Sequence, residues 1–70
     1  MERRPVSSSN LAAVGYDKSR KILEIEFRTG AIYQYQAVHA NTARGLLAAP
    51  SKGKYVWKNI RGKYSFSKAG

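Results

Sequence analysis

Large apolar and polar residues alternate through 23–27, where leucine, isoleucine and phenylalanine are separated by two glutamates. A period of two is typical of a β-strand with one buried face. The segments 11–16 and 31–36 combine apolar residues with strand-forming valine, isoleucine or tyrosine, and each predicts a further strand. A charged turn at 17–21 separates the first two strands. The pattern therefore predicts three consecutive antiparallel strands.

The second and third strands form a hairpin whose register depends on its loop. A two-residue turn would set the apolar residues of one strand on the same face as the glutamines of the next. A three-residue loop with Gly30 in the left-handed conformation pairs Ile25 with Tyr33 and Leu23 with Tyr35 instead. All the large apolar side chains then share one face, and a slip of one residue would separate them. We therefore predict the three-residue loop.

Beyond Val38 the apolar spacing becomes helical. Asn41 is a residue type that caps helix N-termini, and Pro50 ends the helix predicted to begin there. Ser51 is the next natural N-cap and predicts a second helix. At about 100° per residue, one side of this second helix carries the apolar residues Val56, Trp57, Ile60 and Tyr64.

The order of these elements predicts a single α+β domain spanning residues 1–70. Its fold is a three-stranded antiparallel β-meander followed by two short C-terminal helices (βββαα). Residues 1–8 are expected to form a polar N-terminal arm and residues 65–70 a frayed tail. A chain of 70 residues without cysteine has a thin core and no disulfide to support it, so packing alone must hold it together.

The chain is strongly basic, with 13 Lys and Arg against 4 Asp and Glu and a formal net charge of +9. Residues 1–38 contain six cations and all four acids, whereas residues 39–70 contain seven cations and no acid. Such an imbalance indicates an anionic partner rather than a fold. The cations of the C-terminal half are Arg44, Lys52, Lys54, Lys58, Arg61, Lys63 and Lys68.

Catalytic chemistry has little support in the sequence. His39 is the one histidine and has no cysteine or second histidine with which to bind a metal. Glu24 and Glu26 fit the solvated face of an amphipathic strand better than a pair of catalytic carboxylates. We expect no enzyme activity, no cofactor and no metal. The N-terminus has no signal-peptide pattern and no stretch is long enough to span a membrane, which predicts a cytoplasmic protein.

A basic stripe on the second helix is the strongest functional feature. Lys54, Lys58 and Arg61 fall on one side of it, where they could contact phosphates, and Trp57 borders them. Trp57 has two interpretations: a core residue, which is the usual place for a large aromatic in a small domain, or a stacking group for a nucleobase. Further phosphate contacts are expected from the remaining nearby cations, Lys52, Lys63 and Arg44.

Two tyrosines on one strand offer a competing binding surface. Tyr33 and Tyr35 resemble the base-stacking platform of sheet-based RNA-binding proteins. The predicted hairpin register instead buries both rings beside Leu23 and Ile25. We favour the core interpretation, which would reverse if the helices covered the other face of the sheet.

Taken in order, these features resemble the KTSC domain, a small domain named for the C-terminus of some lysyl-tRNA synthetases and also found as stand-alone bacterial and phage proteins. The resemblance covers roughly residues 6–64, and Tyr33-x-Tyr35 is the hallmark of the family. The other matching segments are Ser9-Asn10-Leu11, Val14-Gly15-Tyr16-Asp17, Leu23-x-Ile25-x-Phe27, Gly30, Val38, Ser51-Lys52-Gly53-Lys54-Tyr55 and Ile60-Arg61.

Three classes of partner fit a small basic domain of this kind. The leading hypothesis is non-catalytic binding of nucleic acid, RNA before DNA, and the family's attachment to a tRNA synthetase implies the same. The alternative is a protein-interaction module or phage or bacterial regulator that binds an acidic surface of a larger protein such as RNA polymerase. A membrane surface is the weakest candidate, because the apolar side of the second helix is needed for the core.

Overall fold

The structure, a computed structural model, describes residues 3–70. Five antiparallel strands form one sheet, and neighbouring strands in the sheet are consecutive in the sequence. The helices come between the fourth and fifth strands in the sequence. The first helix, α1, spans Ala40–Ala48, and the second, α2, spans Lys52–Tyr55 and continues directly into a π-helical segment, Val56–Ile60, here called the π turn. The strands are β1 (Arg4–Pro5), β2 (Leu11–Asp17), β3 (Ile22–Phe27), β4 (Ile32–Tyr35) and β5 (Phe66–Lys68).

The hairpin between β3 and β4 has the predicted register. Leu23 pairs with Tyr35 and Ile25 with Tyr33, so the large apolar side chains occupy one face. Gly30 closes the loop at a φ of +96°, a conformation that residues with a side chain rarely adopt. The three-residue loop is therefore confirmed.

The core lies between this apolar face and the helices. Sheet residues and helix residues form one continuous buried cluster, so the helical layer covers the same face that carries Tyr33 and Tyr35. Burial of aliphatic side chains is the main source of stability in a domain without disulfides. The largest fully buried side chains are Leu11, Leu23, Ile25, Val38, Leu46 and Ile60.

The α+β class is confirmed, but the predicted count of three strands is wrong. The arm supplies β1, which pairs with β2 through Arg4 opposite Val14 and Pro5 opposite Ala13. Residues 1 and 2 of the predicted arm lie outside the described residues. Without β1, β2 would expose a row of unpaired backbone groups at the sheet edge, which is the physical reason for the added strand.

The tail that was expected to fray contains β5, which pairs with the free edge of β4. Phe66 lies opposite Tyr35, and Lys68 lies opposite Tyr33. Beyond the strand, the Ala69 amide donates to the Ile32 carbonyl at 2.7 Å. The backbone pairing of β4 thus holds the tail in place although its side chains are exposed.

The face of the sheet away from the helices carries a charged cluster. Arg3 forms ion pairs with Glu24 and Glu26, and Gln34 Nε2 donates to Glu24 Oε1 at 2.7 Å. Glu24 is only 4% exposed, so its predicted place on a solvated face is wrong. Burial opposes ionisation of Glu24, but the hydrogen bonds from Gln34 and Arg3 and the charge of Arg3 outweigh it and hold its pKa below the usual range.

The first helix begins earlier than predicted. His39, not Asn41, is the N-cap of α1, and its carbonyl accepts hydrogen bonds from the amides of Thr42 and Ala43. Asn41 lies inside the first turn. Ala49 adopts an extended conformation ahead of the proline, which confirms that Pro50 ends the helix.

The second helix is shorter than predicted. Ser51 is its N-cap, as expected, but the helical path ends at Ile60 rather than reaching Tyr64. The Arg61 amide donates to the Val56 carbonyl at 2.7 Å. The two residues are five positions apart, which is the hydrogen-bond spacing of a π-helix and closes the π turn. Gly62 follows at a φ of +78° and redirects the chain toward β5.

Candidate nucleic-acid interface

Trp57 lies on the surface, where 66% of it is exposed. Its neighbours in the π turn, Val56 and Ile60, point inward and fill the core instead. The core interpretation of Trp57 is therefore wrong. The Arg61 guanidinium carbon lies 4.3 Å from the centre of the indole, a cation–π contact that supports one face of the ring.

Beside Trp57 runs an open recess of about 480 Å³, here called the aromatic groove. The sheet contributes four aromatic side chains to it, whereas Trp57 and Arg61 come from the end of the helical layer. The helices cover the other part of this sheet face, so the groove is the part that they leave open. Its sheet-borne aromatic residues are Phe27, Tyr33, Tyr35 and Phe66.

The rings of the groove pack against one another as a continuous row. Phe27 meets Tyr33 edge-on with the ring centres 5.7 Å apart, and Tyr33 meets Phe66 in the same manner at 5.3 Å. Tyr35 lies tilted against Phe66 at 5.7 Å. These separations are those of favourable aromatic pairs. Because Phe66 is 58% exposed, the row presents aromatic surface to the solvent.

Tyr33 and Tyr35, which the sequence analysis treated as either core residues or a stacking platform, both line this groove. Tyr35 is 5% exposed and belongs to the core, as predicted. Tyr33 is half-buried and packs against the core, yet it also lines the groove. Burial raises the pKa of Tyr35, and the positive charge of Arg61 opposes that shift. Arg61 therefore acts electrostatically on the groove as well as on Trp57.

The predicted basic stripe surrounds Trp57 on two sides. Lys54, Lys58 and Trp57 line a second recess of about 450 Å³, next to the aromatic groove. Arg61 lies in the groove itself. The helical segment ends before Arg61, and this cation lines a different recess from the two lysines. The three cations thus flank Trp57 rather than forming a straight row along one helix.

The cations around Trp57 form no ion pair among residues 3–70. Among residues 3–70, the ion pairs join Arg3 to Glu24 and Glu26, and Arg20 to Asp17. The carboxylates of the described chain are therefore engaged by arginines of the N-terminal half. Consequently the cations around Trp57 have no carboxylate within 4 Å in the described part of the chain.

The other predicted phosphate contacts lie further away. The Arg44 side chain donates to the Asn41 side chain on the exposed surface of α1. Lys63 is exposed in the turn after Gly62. Lys52 Nζ donates to the Ala49 carbonyl at 3.2 Å and faces a separate polar recess. Of the predicted set, Lys54, Lys58, Arg61 and Trp57 are the residues that the structure brings together.

Two aromatic residues of the groove, Phe27 and Phe66, were not predicted as binding residues. Phe27 was assigned to the apolar face of its strand, and Phe66 fell in the tail that was expected to fray. Phe66 is the one large apolar residue in 65–70, and this isolated aromatic was the available signal. The sequence around these two residues does not show that β5 pairs with β4.

The lining of the groove is mostly apolar, with a few polar side chains and one cation. Its lining, which belongs to the described residues, combines aromatic and aliphatic side chains with Asn10, Thr29 and Arg61, and contains no carboxylate or imidazole. Within residues 3–70 there is no cluster of three His, Cys, Asp or Glu that could hold a metal ion. Nor does this part of the chain contain a helix long and apolar enough to cross a membrane.

Comparison with known proteins finds similarity over most of the chain. The family model of the KTSC domain matches residues 7–64. An uncharacterized protein of Stutzerimonas stutzeri is 44% identical over 55 residues, which cover 79% of this chain and 78% of that protein. A lysine–tRNA ligase of Nostoc punctiforme is 39% identical over 51 residues, 73% of this chain but only 9% of the ligase.

Among solved structures, the fold matches the crystal structure of a KTSC domain protein from Yersinia pestis. The two superpose with a TM-score of 0.96 at 39% sequence identity, over 99% of this chain and 97% of the other. Agreement over nearly the whole of both chains means that the five strands and the helical layer belong to one shared architecture.

Proposed function

Because the chain belongs to the KTSC family, we propose that it is a non-catalytic module that binds single-stranded nucleic acid, RNA before DNA. The lysine–tRNA ligase of Nostoc punctiforme contains a related segment, and its name states that it acts on a tRNA. This relationship is the reason for placing RNA first. A cytoplasmic location and the absence of a cofactor are part of the same proposal.

One observation carries this proposal: the exposed indole of Trp57 stands among unpaired cations at the border of the aromatic groove. Single-stranded nucleic acids are commonly bound by aromatic rings on which bases stack, combined with positive charge that tracks the phosphates. Each stacked base contributes roughly 1–3 kcal/mol. The geometry around Trp57 provides both components within two adjoining recesses.

The roles of the residues follow from their positions. Trp57 provides a face for stacking, and Phe66 provides exposed aromatic surface on the sheet side of the groove. Lys54, Lys58 and Arg61 contact phosphates around Trp57. If about three to six phosphates are engaged on a single strand, the log–log dependence of affinity on salt has a slope of about −2 to −4. Outlying contributions to the same field come from Lys52, Lys63 and Arg44.

A single strand suits this surface better than a duplex. The bases of a duplex are stacked on one another and reach a protein only at their edges, whereas unpaired bases present their faces. Unpaired bases can stack on the ring faces of Trp57 and Phe66, whereas the bases of a duplex cannot. We therefore expect affinity for unpaired regions to exceed affinity for helical ones.

The test is a titration of the protein with fluorescently labelled single-stranded RNA, duplex DNA and heparin at one salt concentration. The RNA is expected to bind most tightly. Trp57→Ala should lower the RNA affinity roughly 5- to 150-fold, the range expected for the loss of one stacked base. Leu47→Ala is the matched control, because Leu47 is also a half-exposed hydrophobic residue but lines neither recess.

Other outcomes would identify a different partner. Equal affinity for heparin and for every nucleic acid would contradict the proposal and favour an acidic protein surface, such as one on RNA polymerase. Thermal melting of Trp57→Ala provides the folding control. Since Trp57 is exposed, its removal should change the melting temperature little, and unfolding of the variant would contradict its surface position.

A further inference from the structure

A polar recess lined by Lys52 adjoins the recess of Lys54, Lys58 and Trp57, with which it shares Pro50 and Ser51. It has a volume of about 380 Å³ and is formed where the loop before β2, the end of β3 and the start of α2 meet. We call it the serine cradle. Its lining residues are Ser7, Ser8, Ser9, Arg28, Pro50, Ser51 and Lys52.

Arg28 is held in place with most of its donors unused. Its Nε donates to the Ser8 carbonyl at 2.7 Å, and its backbone amide donates to the Asn10 carbonyl at 2.9 Å. Among residues 3–70, Nε makes the one hydrogen bond of the Arg28 side chain. The two terminal amino groups of the guanidinium remain available, and this planar fork matches a pair of phosphate oxygens.

Ser8 is oriented by its own loop. Its hydroxyl oxygen accepts hydrogen bonds from the backbone amides of Asn10 and Leu11, both at 3.3 Å. With its oxygen engaged by the backbone, the hydroxyl proton is the part of Ser8 that remains free to donate. The loop therefore presents a hydroxyl donor beside Arg28.

The opposite wall adds two further donors. Ser51 is the N-cap of α2, yet its side chain makes no capping hydrogen bond. The Lys52 ammonium donates one bond to the Ala49 carbonyl and has two more N–H groups. The lining thus contains two cations and four serine hydroxyls, and it contains no carboxylate. A site rich in donors and positive charge is complementary to a phosphate.

The serine cradle is next to the aromatic groove. Asn10 and Gly53 line the groove, and each directly follows a residue of the cradle in the sequence. The side-chain nitrogen Nδ2 of Asn10 packs closely against Gly53, and a Cβ atom added to Gly53 would lie 2.7 Å from this nitrogen. This contact joins the loop before β2 to α2 at positions adjacent in sequence to Ser9 and Lys52 of the cradle.

We propose that the serine cradle binds a phosphate group of the nucleic acid whose unpaired base occupies the aromatic groove. The identity of the ligand rests on the proposed function, but the affinity of the cradle for phosphate does not. An internal phosphodiester and a terminal phosphomonoester both offer the required oxygens, and the experiment distinguishes them.

The first test uses inorganic phosphate alone, followed by NMR of the backbone amides, with chloride at matched ionic strength as the reference. Saturable shifts are expected at the amides of Ser8, Arg28 and Lys52. They should be weakened in Ser51→Ala, which loses no hydrogen bond of the fold, and retained in Lys18→Ala, which removes an exposed charge outside the cradle. Shifts spread over all the lysines, or none at all, would overturn the proposal.

The second test compares one short single-stranded RNA with and without a terminal phosphate. If an internal phosphodiester is the ligand, both strands shift the cradle amides, and Lys52→Gln lowers the affinity for both roughly three- to tenfold through loss of a charge-assisted contact. If a terminal phosphate is the ligand, only the phosphorylated strand shifts these amides. RNA binding at Trp57 without shifts in the cradle would overturn this inference alone. Phosphate binding without RNA binding would overturn the proposed function alone.

Discussion

At the scale of single residues, Arg3 stabilises the buried carboxylate of Glu24. It links the N-terminal arm to Glu24, which the sheet buries, and to Glu26. A buried carboxylate is tolerated only where hydrogen bonds and an opposite charge compensate for the lost water. Arg3 and Gln34 provide that compensation for Glu24. The arm is thus part of the folded domain, because it satisfies a charge in the sheet.

Replacing Arg3 should therefore make stability depend on pH in a defined manner. The pKa of Glu24 is lowered in the folded state, so its contribution to stability is present above the usual carboxyl pKa of about 4.3 and is lost as pH falls through the folded value. Arg3→Ala removes one of the groups that lower this pKa. We expect the variant to be less stable than the wild type at pH 7, with the difference shrinking below about pH 4.

Urea unfolding at pH 7 and at pH 3 measures this difference. Arg4→Ala is the matched control, because it removes the same charge from the neighbouring position, which is exposed. A difference between Arg3→Ala and the wild type that is the same at both pH values would contradict the role assigned to the ion pair.

Residue positions were predicted well where a local repeat fixed them. The alternation in 23–27 placed Leu23 and Ile25 in the core. The same pattern could not show that Arg3 crosses to Glu24, because a contact between residues 21 positions apart leaves no repeat in the sequence. The choice between the two interpretations of Trp57 could not be made from the sequence for a related reason. It depends on the π turn, and helical spacing assumes a regular turn.

At the scale of elements, α1 and α2 are joined by a close contact at Gly45. The Tyr55 hydroxyl donates to the Thr42 carbonyl at 2.9 Å, which lays the ring across α1. A Cβ at Gly45 would lie 3.0 Å from Tyr55 Cζ and closer still to the hydroxyl oxygen. Gly45 is therefore required by the ring and not by the helix, in which glycine is unfavourable.

Gly45→Ala should destabilise the domain although alanine is the better helix former. Displacing the ring and its hydrogen bond is expected to outweigh the gain of about 1 kcal/mol in helix propensity, with a net loss of roughly 1 kcal/mol. In a Tyr55→Phe background the same substitution should cost less, since the nearest atom is gone. Thermal or urea unfolding of the four proteins gives the coupling. Strict additivity would contradict this account of the contact.

The elements themselves were predictable in proportion to their length. The β3–β4 hairpin followed from alternation and from the loop glycine, and Pro50 and Ser51 marked a real boundary between helices. Strands β1 and β5 have only two and three residues, too few to show a period. They form because β2 and β4 offer unpaired edges, and this cause lies in the assembled sheet rather than in either segment.

At the scale of the whole molecule, the two faces of the sheet differ in charge. The described carboxylates are paired with arginines of the N-terminal half, and Glu24 and Glu26 lie on the face away from the helices. The helical side carries the unpaired cations around Trp57. This separation was readable from the counts, since residues 39–70 contain seven cations and no acid. It gives the molecule one side suited to a polyanion.

The aromatic groove could not be predicted from residue counts or from the sequence pattern. Its aromatic row joins Phe27 of β3 to Phe66 of β5 through Tyr33 of β4, and these residues come together only when the tail pairs with the sheet. Charge thus led to the class of ligand that we propose, whereas the position that we propose for a base required the structure. The serine cradle likewise brings together 7–9, 28 and 51–52, which are far apart in the sequence.

The most direct measurement of base stacking uses the fluorescence of Trp57, the one tryptophan of the chain. The protein is titrated with a single-stranded RNA and with an abasic strand of equal length, which keeps the phosphates and lacks the bases. We predict that the RNA quenches the indole and binds roughly 5- to 150-fold more tightly than the abasic strand. Equal affinity for the two strands, with no quenching specific to the RNA, would contradict the account.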